Sequence, residues 1–169
     1  SNAESGMVIA NAQNIDDLDV MKILYSGNTI YNNWNFMAFC SGPMQGGTEN
    51  TYGNCDLYSG DISDGQGLHV TQNANTYLHG RMGFENNMAF NNGLGGVVYH
   101  NTARVELVNN LVFINGAYPG VTHNTGLTLN TADDVRIHNN IFWAREDGDF
   151  AIINKGNASN VVSTHNVII

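Results

Sequence analysis

Positive charge is scarce in this chain. Its 169 residues hold only six lysines and arginines against fifteen aspartates and glutamates, a formal net charge of −9. So few cations argue against nucleic acid and against anionic membrane surfaces as partners. No apolar run approaches the ~18 residues of a membrane-spanning helix, so membrane insertion is not expected. No charged segment leads into a short apolar one, so no signal peptide is expected in these residues. Ser1-Asn2-Ala3 reads as a cloning scar, which leaves 4–169 as a single domain. Only 12% of residues are charged while 42% are apolar, a balance that disfavours disorder. Proline is nearly absent, with two residues. The chain is rich instead in asparagine and glycine, 27 and 19 residues. Both are poor in helix interiors and good in tight turns, which disfavours a helical bundle.

Cysteine is almost as scarce. Cys40 and Cys55 bracket the segment SGPMQGGTENTYGN. Two readings stand: a disulfide closing a surface loop of a secreted protein, or two separate thiols. A structural zinc site is not expected from two cysteines without neighbouring ligands.

Internal repetition is the strongest signal. The segments Met82-GFENN-Met88, Val105-ELVNN-Leu111, Val135-RIHNN-Ile141 and Val161-VSTHN-Val167 superpose, and Ile23-LYSGN-Thr29 is a fainter copy. Asn28, Asn87, Asn110, Asn140 and Asn166 close these units, the later intervals being 23, 30 and 26 residues. Each unit alternates with period two before its asparagine and resumes as a strand after it. A second register precedes each unit. Gly67-LHVTQ, Gly96-VVYHN and Gly126-LTLNT align, and Phe150-AIINK follows without the glycine. Its inward pairs are Leu68 and Val70, Val97 and Tyr99, Leu127 and Leu129, Ala151 and Ile153. About three short strands per circuit, stacked in parallel, describe an all-β solenoid, a parallel β-helix of about four to five rungs. The asparagine column has a reason: asparagine tolerates the left-handed φ of a corner, and stacked carboxamides hydrogen-bond along the axis. We read it as scaffold.

These repeats resemble right-handed parallel β-helix proteins, the architecture of pectate lyases, alginate lyases and mannuronan epimerases. The likeness covers roughly residues 20–169. A narrower one lies in Asp64-Gly65-Gln66-Gly67, Gly80-Arg81-Met82-Gly83-Phe84-Glu85-Asn86-Asn87 and Asn91-Asn92-Gly93-Leu94-Gly95-Gly96. This run is similar to secreted bacterial β-helix proteins of largely unassigned activity. The resemblance implies an extracellular or cell-surface protein acting on or binding a polysaccharide. Polygalacturonase-type hydrolases are not expected: Asn130-Thr131-Ala132-Asp133-Asp134 only echoes their NTD and DD motifs, and no GHG or RIK is present. The Thr-x-Thr rows of ice-binding solenoids are missing too.

Chemistry has two candidate places. Asn28 and Asn87 stand 59 residues apart, about two rungs, so an insertion spans about 34–66. Its Trp34 and Tyr58, with Phe36, Phe39 and Tyr52, beside Asp56, Asp61 and Asp64, suit a sugar platform with a Ca²⁺ site at Asp61 and Asp64. They equally suit a loop packing its aromatics over the first rung. The second place is the outward side of the second register: His69, Thr71, His100, Asn130 and Asn154, with Gln72, Asn101, Thr131 and Lys155 at the turn. Rungs about 4.8 Å apart would set Thr71, His100, Asn130 and Asn154 in one row. Eliminating across a uronate needs a base for the C5 proton and a cation on the carboxylate, roles that fit His100 or Lys155 and Arg81. The plainer reading is a solvated polar strand face.

Other charges read as local structure. Asp16, Asp17 and Asp19 suit a solvated turn or a calcium site, as do Glu146, Asp147 and Asp149. Glu106 and Arg136 should pair across adjacent rungs. His138 reads as a surface histidine. The chain stops inside a strand pattern at Val167-Ile168-Ile169, which suggests an excised or unusually small β-helix, continued by further domains or by an end-to-end oligomer. Three functions follow: a polysaccharide lyase or epimerase acting on uronate polymers, a non-catalytic glycan-binding module, or a structural solenoid segment of the tail-spike kind.

Overall fold

The computed structural model describes residues 5–14, 18–33, 65–117, 125–146, 149–155 and 157–169. Among them no helix occurs, and every strand pairing is parallel. The strands are β1 (Met7–Ala10), β2 (Met21–Ser26), β3 (Thr29–Tyr31), β4 (Leu68–Thr71), β5 (Arg81–Glu85), β6 (Met88–Phe90) and β7 (Gly95–Val108). They continue as β8 (Leu111–Phe113), β9 (Thr125–His138), β10 (Ile141–Trp143), β11 (Phe150–Asn154), β12 (Ser159–Thr164) and β13 (Val167–Ile168).

Pairing places these strands in three columns. The first holds β1, β4, the first half of β7, the first half of β9, and β11. The second holds β2, β5, the second halves of β7 and β9, and β12. The third is a separate 5-stranded sheet in the order β13-β10-β8-β6-β3. The chain therefore visits columns one, two and three in turn and repeats the circuit, a topology compatible with a β-solenoid. The two 14-residue strands bridge columns one and two, and their left-handed residues Asn101 and Arg104 in β7, and Thr131 and Asp134 in β9, form the corner.

The core follows from the period-two pattern. Leu68, Val70, Val97, Tyr99, Leu127 and Leu129 face in from column one. Met82, Phe84, Val105, Leu107, Val135 and Ile137 face in from column two, and Ile30, Ala89, Val112 and Phe142 from column three. Full burial of each large aliphatic or phenylalanine side chain contributes about 1.5–3 kcal/mol. Phe84 stacks on Tyr25 with ring centroids 5.7 Å apart and tilts against Tyr99 at 5.9 Å.

Corners decide the rest. The asparagine column is a ladder: Nδ2 of Asn28, Asn87, Asn110 and Asn140 each donates to Oδ1 of the next, at 2.9–3.0 Å. The backbone N–H of each donates to the same oxygen. The double role expected of each column asparagine is corrected in one respect. The left-handed φ belongs to the residue before each of these ladder asparagines, namely Gly27, Asn86, Asn109, Asn139 and His165. One asparagine of the pair turns the chain, and the second bonds along the axis. A second ladder, Asn33–Asn92–Asn115, lies beyond column three, with Nδ2-to-Oδ1 distances of 2.8 Å.

Glycines form a further file. A Cβ on Gly67 would stand 2.6 Å from Gly96 O, one on Gly96 2.8 Å from Gly126 O, and one on Gly126 2.5 Å from Ala151 O. Ala151 thus continues the glycine file, which corrects its expected inward pairing with Leu127. Ile152 pairs with Leu127 instead, and Asn154 with Leu129. Without a glycine to mark the corner, the last rung aligns one residue off by sequence alone.

Candidate functional site

The outward row of column one is largely as expected. Thr71 pairs with His100 and His100 with Asn130. The hydroxyl of Thr71 lies 3.5 Å from His100 Nδ1. The row's last member differs. Asn154 sits opposite Leu129, and the backbone N–H of Lys155 donates to Leu129 O at 2.8 Å. That bond sets Lys155 beside Asn130, so the row is Thr71, His100, Asn130, Lys155. His100 and Lys155 are exposed, Asn130 half-buried, and Thr71 nearly covered at 9% exposure. His69 belongs to the neighbouring outward row, opposite Val98, which in turn is opposite Thr128. Gln72, Asn101 and Thr131 follow at the corner with left-handed φ of 57°, 48° and 51°. There the Asn101 carbonyl accepts from the backbone N–H groups of Asn73 and Ala74.

Arg81 stands apart from that row. It opens β5 in column two and is 8% exposed. Its guanidinium bonds to Asp134 and lies 3.3 Å from Glu106 Oε1 through Nε. Arg136 closes the network, 2.9 Å from Glu106 Oε1 and 3.8 Å from Asp134 Oδ1. The expected Glu106–Arg136 pair is present, enlarged into a four-membered cluster. The structure therefore brings His100 and Lys155 into one row and places Arg81 on its own chain's carboxylates. His138 is half-buried and its Nδ1 lies 2.7 Å from Thr164 Oγ1.

Among the described residues two titrations are shifted. Burial, and then the charge of Glu106, push the Tyr99 phenol well above its ordinary 10.0. Asp133 is held below the usual 3.8, first by the Ser159 hydroxyl, then by the Asn160 amide, with Arg104 adding a smaller attraction. Both lie in scaffold positions.

Trp34, Tyr58, Asp61 and Asp64 lie outside the described residues, as do Cys40, Cys55, Asp16, Asp17 and Asp147. The Ca²⁺ expectation at Asp61 and Asp64 therefore also lies outside the described residues. Among the described residues no group of three or more histidine, cysteine, aspartate or glutamate side chains could hold a metal. No helix among them is long and apolar enough to cross a membrane.

One surface escaped the sequence reading. The outward side of column three carries Tyr31, Phe90, Phe113 and Trp143 in register, beside Met88, Leu111, Ile141 and Val167. Tyr31 and Phe90 stack at 5.2 Å, Phe90 and Phe113 at 5.0 Å, with interplanar angles of 4° and 17°. The faces of Tyr31, Phe90 and Phe113 are turned to one another, so these three rings offer edges and not a sugar platform. The signal was available as an aromatic third residue in Thr29-Ile30-Tyr31 and its three counterparts. Alternation hid it, because both sides of this column are apolar.

Compared with known proteins, the chain matches no family model, no curated protein and no solved structure.

Proposed function

We propose that this chain is a right-handed parallel β-helix domain, exported from the cell, that binds a polysaccharide along the row Thr71, His100, Asn130 and Lys155. The supporting observation is the register of that row over four successive rungs. It carries imidazole, carboxamide and ammonium groups, with the nearly covered Thr71 hydroxyl at its start, at the strand spacing of about 4.8 Å, some 14 Å in all. A linear polymer of hydroxylated rings meets such a strip with one ring per rung. Each hydroxyl can both donate and accept, which matches an amide or imidazole partner. His69 and Asn101 border the strip, and Asn154 adjoins its last member.

A lyase or epimerase acting on uronate polymers is the second reading. The shared row of His100 and Lys155 favours it. Arg81 weighs against it, because the guanidinium assigned to the substrate carboxylate is already bound to Asp134 and Glu106. Binding without turnover is therefore preferred. A glycan array probed with the whole chain tests the first reading, and loss of signal in Asn130→Ala ties it to the row. Ultraviolet absorbance of unsaturated uronates on pectate, alginate and hyaluronan tests the second. Turnover abolished by His100→Ala or Lys155→Met would replace the first reading by the second.

A further inference from the structure

Cations are few, and nearly all are engaged within the chain. Arg81 and Arg136 share Glu106 and Asp134. Arg145 donates to the carbonyls of Ile114 and Asn115 and to Asn91 Oδ1. Its position, two residues past β10, matches that of Asn115 past β8, so it terminates the second asparagine ladder. Arg104 is half-buried within electrostatic reach of Asp133, and its Nε and Nη2 are covered. Lys22 also has a partner. Among the described residues Lys155 is left as the one exposed cation without an ion pair, and it sits in the row.

We infer that the polymer taken by this row is a neutral glycan and not a polyuronate. The inference rests on the binding reading above and narrows its ligand class. A polyuronate laid over four rungs sets a carboxylate on each ring, about one every 4.8 Å, against a single ammonium. It also approaches a chain of net charge −9, whose repulsion reaches about 8–10 Å at ordinary ionic strength. The exposed His100 and half-buried Asn130 are hydrogen-bonding groups suited to hydroxyls. Of the arginines, whose fork matches a carboxylate, Arg81, Arg136 and Arg145 are bonded elsewhere, and the Nε and Nη2 of Arg104 are buried.

Isothermal titration of the whole chain with oligosaccharides of equal length decides the matter. The neutral probes are xylohexaose, cellohexaose and mannohexaose. The acidic probes are hexagalacturonate and hexamannuronate, each with and without calcium chloride. At least one neutral probe should bind ten times or more tighter than either acid, with Kd changing less than about twofold between about 50 and 500 mM salt. Asn130→Ala, folded by circular dichroism, should weaken that probe about fivefold or more, the loss of about one hydrogen bond. An acidic probe binding more tightly than every neutral one, with or without calcium, overturns the inference and leaves the binding reading standing. No binding by any of the five probes, together with a blank glycan array, overturns the binding reading itself.

Discussion

Asn110 Nδ2 donates to Asn140 Oδ1 at 3.0 Å, and the backbone N–H of Asn110 donates to that same oxygen at 2.8 Å. The side chain of Asn110 in turn accepts both corresponding bonds from Asn87 and donates to the carbonyl of Phe84. Each ladder asparagine thus satisfies a corner of its own rung and one of its neighbour. A buried corner has no water to substitute, so every lost partner leaves a desolvated polar group.

Removal of one carboxamide should therefore be costly. Asn110→Ala leaves the N–H and Nδ2 of Asn87 without their acceptor, and should cost about 2–6 kcal/mol at one to three per orphaned group. Asn109, the exposed residue before it at φ 55°, is occupied with turning the chain. Asn109→Gly should change stability by less than about 1 kcal/mol, whereas Asn109→Val should cost about 1–2 kcal/mol. Denaturant unfolding of the three variants separates the two members of the pair. Equal losses at both positions would contradict the division of labour.

How far the sequence revealed this arrangement depends on what marks each position. The first ladder was legible because Asn87, Asn110 and Asn140 each follow a second polar residue inside an apolar alternation. The glycine file was legible through Gly67, Gly96 and Gly126, and failed at Ala151, where a one-residue error put Asn154 in the row at the place that Lys155 holds. The second ladder was harder. Asn33, Asn92 and Asn115 follow column three, whose two apolar sides erase alternation. The partners of Arg81 were invisible for another reason. Asp134 lies two rungs away along the axis, and only the stacking distance brings it near.

Gly96 tests the close approach of successive rungs. A methyl group there would meet Asn115 Nδ2 at 2.6 Å and Gly126 O at 2.8 Å. Neither can move without disturbing the second ladder or the next rung's backbone. Gly96→Ala should cost about 2–3 kcal/mol, the upper end for overpacking. Gly27→Ala is the control: open space surrounds it, so only its φ of 71° opposes the change, at about 1 kcal/mol. Thermal melts showing the control as harmful as Gly96→Ala would refute a steric origin.

The Tyr99 hydroxyl is fully buried and has no hydrogen-bond partner. Tyr99→Phe removes that orphan while keeping the ring against Phe84, and should leave stability unchanged or raise it by about 1 kcal/mol. The variant should also resist alkali better. Because the folded phenol titrates above 10.0, its contribution is complete below that value and disappears as pH rises and the unfolded chain ionises first. Urea unfolding between about pH 9 and 11 should show a steeper decline in the parent chain than in Tyr99→Phe. A parallel decline would mean the phenol is not the group responsible.

Asp133 makes the opposite prediction at the acid end. Its Oδ1 accepts from Ser159 Oγ at 2.6 Å and from Asn160 Nδ2 at 2.8 Å, joining the second column's last two rungs. These donors favour the carboxylate, so the folded group titrates below 3.8 while the unfolded one does not. The sign follows: the contribution is complete above the unfolded value and is lost as pH falls through the folded one. Asp133 is exposed, so solvent screens the effect and it should be small. Asp133→Asn should lower stability at neutral pH and flatten its fall below about pH 4. Ser159→Ala should do the same in part, since the hydroxyl is the larger cause. Denaturant midpoints measured at several acid pH values check both. An acid limb equally steep in parent and Asp133→Asn would show that the pH dependence does not arise from Asp133.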